Sequence, residues 1–150
     1  MNIIGQLTVA SQISLYVILA AIALFTLLVL WAQVGVMRGK PFDNPDGTKD
    51  DWREQKIFYG IALADIIVAC PLSIAALSMI FFIPRAGFYT MGMVSFWFVW
   101  TNVMTTVTSL RFEKPRISLP WLIVFPLGAV IGLAFIIWTL AHFDAIYSIR

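Results

Sequence analysis

The sequence predicts an all-α membrane protein, a single domain built as a bundle of four antiparallel transmembrane helices in up-down order. Its composition is the first reason, because 61% of the 150 residues are hydrophobic and only 12% are charged. Soluble domains are about 45–50% apolar and about 25% charged. The second reason is that the chain holds four apolar runs, each near the roughly 20 residues that cross a bilayer core.

The first helix is predicted over residues 13–37, after the polar residues Ser11 and Gln12. No Lys or Arg precedes Arg38, so the run lacks the positive segment that opens a signal peptide. We therefore expect a permanent transmembrane helix rather than a cleaved leader.

The second helix is predicted over residues 49–83. Pro45 to Gly47 is a turn signal, Thr48 is a good helix cap, and Asp50 follows in the first turn, where a carboxylate complements the helix dipole. The third helix is predicted over residues 87–110 and the fourth over residues 120–143. Loops are predicted at residues 38–56 and 111–119.

The basic residues predict the orientation of the bundle. Of the 10 Lys and Arg residues, all but Arg85 and Arg150 lie in the two predicted loops. By the positive-inside rule both loops are cytoplasmic and both termini lie on the non-cytoplasmic side. Clustering beside apolar runs argues against nucleic-acid binding, and the small size and short loops favour a multi-pass protein of a bacterial inner membrane. The loop residues are Arg38, Lys40, Lys49, Arg53, Lys56, Arg111, Lys114 and Arg116.

One carboxyl group is predicted to lie inside the membrane. Asp65 is eight residues past Ile57, the start of its apolar run, and so about 12 Å deep. A charge at such a depth costs about 2.5–3.5 kcal/mol on insertion scales. Asn102 lies eight residues before Leu110 in the next helix, which gives it the same depth. We therefore expect Asn102 to be the hydrogen-bond partner of Asp65.

Further polar residues share a helix face with Asn102 and predict a substrate or ion pathway. Thr105, Thr106 and Ser109 follow it at helical spacing, and Arg111 lies at the cytoplasmic end. The alternative is that these hydroxyls only bond to neighbouring helices or to their own backbone.

Two prolines and two glycines predict local geometry. Pro71 and Pro126 lie within apolar runs, where the missing N–H and the ring predict kinks. Gly128 and Gly132 form a GxxxG step, which allows close helix packing against helix one or against another copy of the chain.

The remaining chemistry is sparse, so we expect no metal and no cofactor. A non-enzymatic role is favoured over an enzyme that uses Asp65 as its single acid or base. The chain has one Cys and one His, Cys70 and His142. Metal and haem sites need several such ligands. A nucleophilic serine needs a histidine base beside it, and neither Ser73 nor Ser78 has a histidine at the same predicted depth in the membrane. His142 is interpreted as an interfacial residue, or else as an outward-facing proton entry or a ligand contact.

These observations favour proton- or cation-linked transport of a small solute or ion through a buried site made by Asp65 and Asn102. Four helices rarely enclose a wide pathway alone, so we expect a homo-oligomer or a larger membrane complex in the lipid bilayer. Two alternatives stay open. One is a non-catalytic subunit of a larger complex, and the other is a membrane-embedded binder or enzyme for a lipid or apolar ligand.

Overall fold

The computed structural model describes residues 3–39, 56–112 and 119–148, and all regular secondary structure in those ranges is helical. A 3-10 turn (Ile4–Gln6) precedes the first helix, and a π turn (Asp65–Ala69) joins the second helix to the third. The helices are α1 (Val9–Met37), α2 (Lys56–Ala64), α3 (Cys70–Phe82), α4 (Pro84–Phe112), α5 (Leu119–Ala141) and α6 (Phe143–Tyr147).

Three helical segments are long and apolar enough to cross a membrane, namely Val9–Met37, Tyr59–Phe82 and Leu122–Ala141. The predictions of an all-helical fold and of apolar helices long enough to cross a membrane are confirmed. Helix α4 has the same 29-residue length as α1 but a more polar composition. Its role as a fourth span stays a prediction.

Local interactions determine where α1 and α4 begin. Helix α1 begins at Val9, earlier than expected, because the Thr8 hydroxyl accepts a hydrogen bond from the Ser11 N–H at 3.2 Å and caps the first turn. Helix α4 begins at Pro84, whose ring suits a first helical position and whose missing N–H is not needed there. The start predicted near residue 49, the turn before it and the loop residues 40–55 and 113–118 lie outside the described residues.

The π turn lies directly before Pro71. The backbone N–H of Cys70 bonds to the carbonyl of Asp65, five residues back, instead of four. In a regular α-helix the Pro71 ring would clash with the carbonyl of Ile67, so a wider turn accommodates it. The predicted kinks at Pro71 and Pro126 stay predictions, and α5 is helical on both sides of Pro126.

The helices pack around one apolar core. Helix α4 packs along α3 and α5, whereas α1 packs against α2, the π turn, α3 and α5. Gly87 of α4 lies against the backbone of Ile80 in α3. The two helix backbones are therefore in close contact beside the short α3–α4 connection. The buried core residues include Leu15, Leu19, Ile22, Ala76, Ile80, Phe88, Met91, Phe135 and Trp138.

The bundle has two distinct ends. The terminal end holds the start of α1, the α3–α4 connection and α6, and Arg85 there donates to the Ser148 carbonyl at 2.9 Å. The loop end holds the end of α1 and the start of α2. Gln33 contacts Asp65 and Thr26 contacts Ser73, so α1 runs antiparallel to α2 and α3.

Candidate functional site

The side chain of Asp65 is buried between α1 and the π turn, with only 4% of its surface exposed. Its Oδ2 accepts a hydrogen bond from Gln33 Nε2 at 2.7 Å. Its Oδ1 is buried and has no partner among the described residues. A buried acceptor without a donor costs about 1–3 kcal/mol, and more when it is charged. This oxygen is therefore an open position for a proton or another cation.

A second polar pair, between Thr26 of α1 and Ser73 of α3, lies closer to the terminal end. Thr26 Oγ1 lies 2.8 Å from Ser73 Oγ and donates to the Ile22 carbonyl at 2.8 Å. Because Thr26 has one hydroxyl proton, Ser73 must donate to Thr26. We call Gln33, Asp65, Thr26 and Ser73 the polar seam.

The π turn directs both Asp65, its first residue, and Ser73 of α3 toward α1. Thr26 and Gln33 are seven residues apart, which places them within roughly 20° of each other on α1. Asp65 and Ser73 are eight residues apart, and in a regular α-helix their directions would differ by roughly 80°. The π turn takes up one extra residue, so both side chains face α1. Such single π turns are frequent at functional sites.

Asn102 is buried but does not pair with Asp65, so the predicted partner is wrong. Its Nδ2 donates to the Phe98 carbonyl of its own helix at 2.8 Å. The physical reason is direction. Residues 56–69 pack mainly against α1, whereas α4 packs against α3 and α5, so equal depth does not make the two side chains face each other.

Two hydroxyls of α4 bond to carbonyls of their own helix, whereas the buried Ser95 hydroxyl has no partner among the described residues. Thr106 donates to the Asn102 carbonyl at 2.6 Å, and Thr101 donates to the Trp97 carbonyl at 2.8 Å. Thr105 and Thr106 are both half-buried. The side chains of Ser109 and Arg111 lie outside the described residues. The pathway along this face therefore stays a prediction.

The GxxxG step packs within the chain, chiefly against α4. A Cβ at Gly128 would lie 2.6 Å from the Phe25 ring and 2.7 Å from the Asn102 amide. A Cβ at Gly132 would lie 2.6 Å from the Ser95 carbonyl oxygen. The sequence suggested helix one or another copy as the partner. Phe25 of helix one lies against Gly128, and residues of α4 lie against both glycines.

An apolar layer separates the polar seam from the terminal end. Between Thr26 and Ser14, about 18 Å along α1, the inward side chains are Leu15, Leu19 and Ile22. They pack with the buried Ala76 and Ile80 of α3. Along α1 and α3, these side chains offer a proton or a water molecule no hydrogen-bonding atom between the seam and the terminal end.

A separate set of polar residues lies at the terminal end, and we call Thr8, Ser11, Ser14, Trp138 and His142 the terminal cluster. His142 Nε2 lies 2.9 Å from Ser11 Oγ, and its Nδ1 lies 2.8 Å from the Trp138 carbonyl. The Trp138 indole donates to Ser14 Oγ at 2.9 Å. Sequence reasoning gave His142 an interfacial role and did not predict its contact with Ser11. The available signal was that Ser11 and His142 lie near the ends of helices predicted to have their termini on one side.

Nearby, partial burial raises the pKa of Tyr147 above its ordinary value, with a smaller contribution from the negative charge of Tyr89. Within residues 3–39, 56–112 and 119–148, no group of three or more His, Cys, Asp and Glu side chains is placed to hold a metal. Cys70 is a free, buried thiol.

Comparisons with protein-family models, curated proteins and solved structures find no match to this chain. Function is therefore inferred from the chemistry of the site.

Proposed function

We propose that the protein transports a small solute or ion across a membrane by binding and releasing a proton at Asp65. In this proposal α1, the α2–α3 helix, α4 and α5 are four spans of an up-down bundle, with both termini on the non-cytoplasmic side of a bacterial inner membrane. A homo-oligomer supplies the wider pathway. Support for the topology comes from the basic residues of the two loops and from three segments apolar enough to cross a bilayer.

The observation that carries the proposal is the half-satisfied carboxyl of Asp65. Gln33 holds Oδ2, while Oδ1 is buried and unpaired among the described residues. Intramembrane carboxyls of this kind mark ion pathways and proton relays. Gln33 is a positioning residue, because its amide fixes the carboxyl without competing for the open oxygen.

A proton is a better occupant than a metal ion. A hard cation such as Ca²⁺ or Mg²⁺ takes six or more oxygen ligands. The described residues bring only one carboxylate to this place, and a single carboxylate is sufficient for a proton. Asp65 thus fits a protonation cycle.

The apolar layer favours a carrier over an open pore. Leu15, Leu19 and Ile22 close the route between Asp65 and the terminal end. A proton bound at the seam can leave toward the terminal end only if the helices repack. We therefore infer alternating access, in which protonation of Asp65 removes the charge that opposes this movement.

Flux into vesicles tests the proposal. The full chain is reconstituted into liposomes that contain a pH-sensitive dye, and proton entry is driven by an imposed potassium diffusion potential. We expect entry faster than in empty liposomes, loss of that entry in Asp65→Asn, and full entry in Asp144→Asn. Asp144 is the matched control because its carboxyl is exposed in α6. Wild-type flux in Asp65→Asn would contradict the proposal.

A second candidate, a non-catalytic subunit of a larger complex, is favoured by the exposed face of α4. Large apolar side chains recur there at alternating spacings of three and four residues, which suits packing against another helix. Copurification of a stoichiometric larger partner, together with unchanged flux in Asp65→Asn, would favour this candidate. The exposed side chains are Tyr89, Met93, Phe96, Trp100, Val103, Val107 and Leu110.

A further inference from the structure

Ser11 and His142 are 131 residues apart in the chain but in direct contact at the terminal end. Ser11 Oγ lies 2.9 Å from His142 Nε2, and His142 Nδ1 lies 2.8 Å from the Trp138 carbonyl oxygen. A serine, a histidine and a third oxygen that orients the ring are the parts of a nucleophile–base site. Here a backbone carbonyl stands where a carboxylate stands in the familiar triad.

The hydrogen bonds fix where the protons lie. A carbonyl oxygen only accepts, so the bond to the Trp138 carbonyl requires a proton on His142 Nδ1. In the neutral imidazole Nε2 is then the acceptor, and the Ser11 hydroxyl must donate to it. This is the direction that general-base activation of a serine needs.

Both partners are held in place by the surrounding residues. The His142 ring stacks on the Trp138 ring at a centroid distance of 4.1 Å and an interplanar angle of 19°. The Thr8 hydroxyl lies 2.9 Å from Ser11 Oγ, and Ser14 donates to the Ser11 carbonyl at 3.0 Å. Thr8, Ser14 and Trp138 are therefore positioning residues for the pair.

We propose that Ser11 and His142 form a hydrolytic site for an acyl ester at the membrane surface. This site is independent of Asp65, because the apolar layer lies between them. Ser11 and His142 are half-buried, so a substrate can reach them. Exposed apolar side chains surround the site, with Val9 72%, Leu140 66% and Phe143 53% exposed. This environment suits an amphiphile whose acyl chain lies in the bilayer and whose ester group lies at the headgroup level.

The reaction balances with water as the only co-reactant. Ser11 Oγ forms a bond to the ester carbonyl carbon while its proton passes to His142 Nε2. The ester C–O bond then breaks, and the leaving alcohol takes that proton, which leaves an acyl group on Ser11. Water attacks the acyl carbon and gives a proton to Nε2. The bond from that carbon to Ser11 Oγ then breaks, Nε2 returns the proton to Oγ, and the fatty acid is released. The backbone N–H groups of Val9 and Ala10, in the first turn of α1, have no acceptor within a helix and are available to the oxyanion.

The test uses the full chain in lipid nanodiscs, with a fluorophosphonate probe and 4-nitrophenyl octanoate. We expect a probe adduct that mass spectrometry places on Ser11, and ester hydrolysis above the rate of empty nanodiscs. Ser11→Ala abolishes both, and His142→Gln lowers the labelling rate about 100-fold, the lower range of general acid–base contributions. Ser78→Ala is the matched control, because Ser78 is exposed and bonds only to the Ile74 carbonyl of its own helix.

The adduct on the wild-type chain does not depend on whether a variant folds. Absence of an adduct on Ser11 overturns the proposal, as does equal hydrolysis by wild type and Ser11→Ala. An adduct on Ser11 that forms at the same rate in His142→Gln also overturns it, since the histidine would then not activate the serine. Asp65→Asn is expected to keep full hydrolysis, which separates this site from the transport proposal.

Discussion

The polar seam and the terminal cluster hold their polar atoms in opposite ways. In the seam, Asp65 has one oxygen paired with Gln33 and one buried without a partner among the described residues. In the terminal cluster, both nitrogens of His142 are paired and the residue is only half-buried. Binding of a proton or a cation to the unpaired oxygen in the seam would remove the free-energy cost of burying an acceptor without a donor. In the cluster, the hydrogen bonds of His142 fix Nδ1 as the donor and Nε2 as the acceptor of the Ser11 proton.

The two regions therefore differ in what water does for them. A buried polar atom in the seam that loses its partner cannot form a hydrogen bond to water. A half-buried atom in the cluster can bond to water or to a lipid headgroup instead. The same substitution is thus expected to have unequal effects at the two ends, and that inequality is measurable.

The largest effect is expected from the insertion of one alanine after Val68 in the π turn. The π turn takes up one extra residue, so a second one rotates Asp65 roughly 100° away from Gln33 while Ser73 still faces Thr26. Losing a buried hydrogen bond to a carboxyl costs about 1–3 kcal/mol, and the rotation also misaligns the packing of α2 against α1. We expect a loss of more than about 3 kcal/mol in the free energy of unfolding, measured by denaturant titration in detergent, together with the loss of proton flux.

Val68→Ala is the control for that insertion, because Val68 is 57% exposed and the substitution keeps the number of residues. It should retain flux and nearly all stability. An insertion variant with wild-type flux would show that the π turn does not position Asp65.

A smaller effect is expected from Gln33→Leu, compared with Gln12→Leu at the terminal end. Gln33→Leu removes the described donor to Asp65 Oδ2, beside an Oδ1 that already lacks one, and should destabilise the fold by about 1–3 kcal/mol. Gln12 donates to the Leu7 carbonyl at 2.9 Å near the surface, where water replaces it, so its loss should cost less than about 1 kcal/mol. Thermal unfolding of both variants measures the difference.

The double variant Gln33→Leu/Asp65→Leu sharpens this prediction. Removing both partners of a buried polar pair is often neutral or stabilising. We expect it to regain the stability that Gln33→Leu alone loses, and a double variant less stable than Gln33→Leu would contradict the pairing.

The smallest effect is expected from single hydroxyl deletions. Ser73→Ala removes the hydroxyl that donates to Thr26, and Ser14→Ala removes the acceptor of the Trp138 indole. Interhelical hydrogen bonds in membranes average about 0.6 kcal/mol. We expect about that loss in Ser73→Ala and less in Ser14→Ala, where water can accept from the indole. An equal or reversed order would contradict the difference in hydration.

The sequence predicted the features that depend on composition and length. Apolar runs located the helices, and the apolar flanks of Asp65 predicted that its carboxyl is buried. Helix bounds shifted by a few residues where capping decided them, as at Thr8, which caps α1 one turn before the expected start.

The sequence did not predict the partner of Asp65, because depth gives the level of a side chain but not its direction. The π turn changes the angle between the Asp65 and Ser73 side chains by the equivalent of one residue, about 100°. A sequence read with a regular 3.6-residue period does not reveal this change. Pro71 was the local hint. Gln33 and Thr26, polar residues seven apart in an apolar helix, were the signal on the other side. The contact of Ser11 with His142 depends on how α1 and α5 pack, which no local pattern determines.

Carbodiimide labelling tests the central claim most directly, since these reagents modify protonated carboxyl groups and differ in where they partition. The full chain in liposomes is treated with an apolar carbodiimide or with a water-soluble one, and mass spectrometry measures modification of Asp65 and Asp144. The apolar reagent is expected to modify Asp65, and the water-soluble reagent to modify Asp144 and spare Asp65. Modification of Asp65 by the water-soluble reagent at the rate of Asp144, or no reaction of Asp65 with the apolar reagent, would contradict a buried, proton-binding carboxyl.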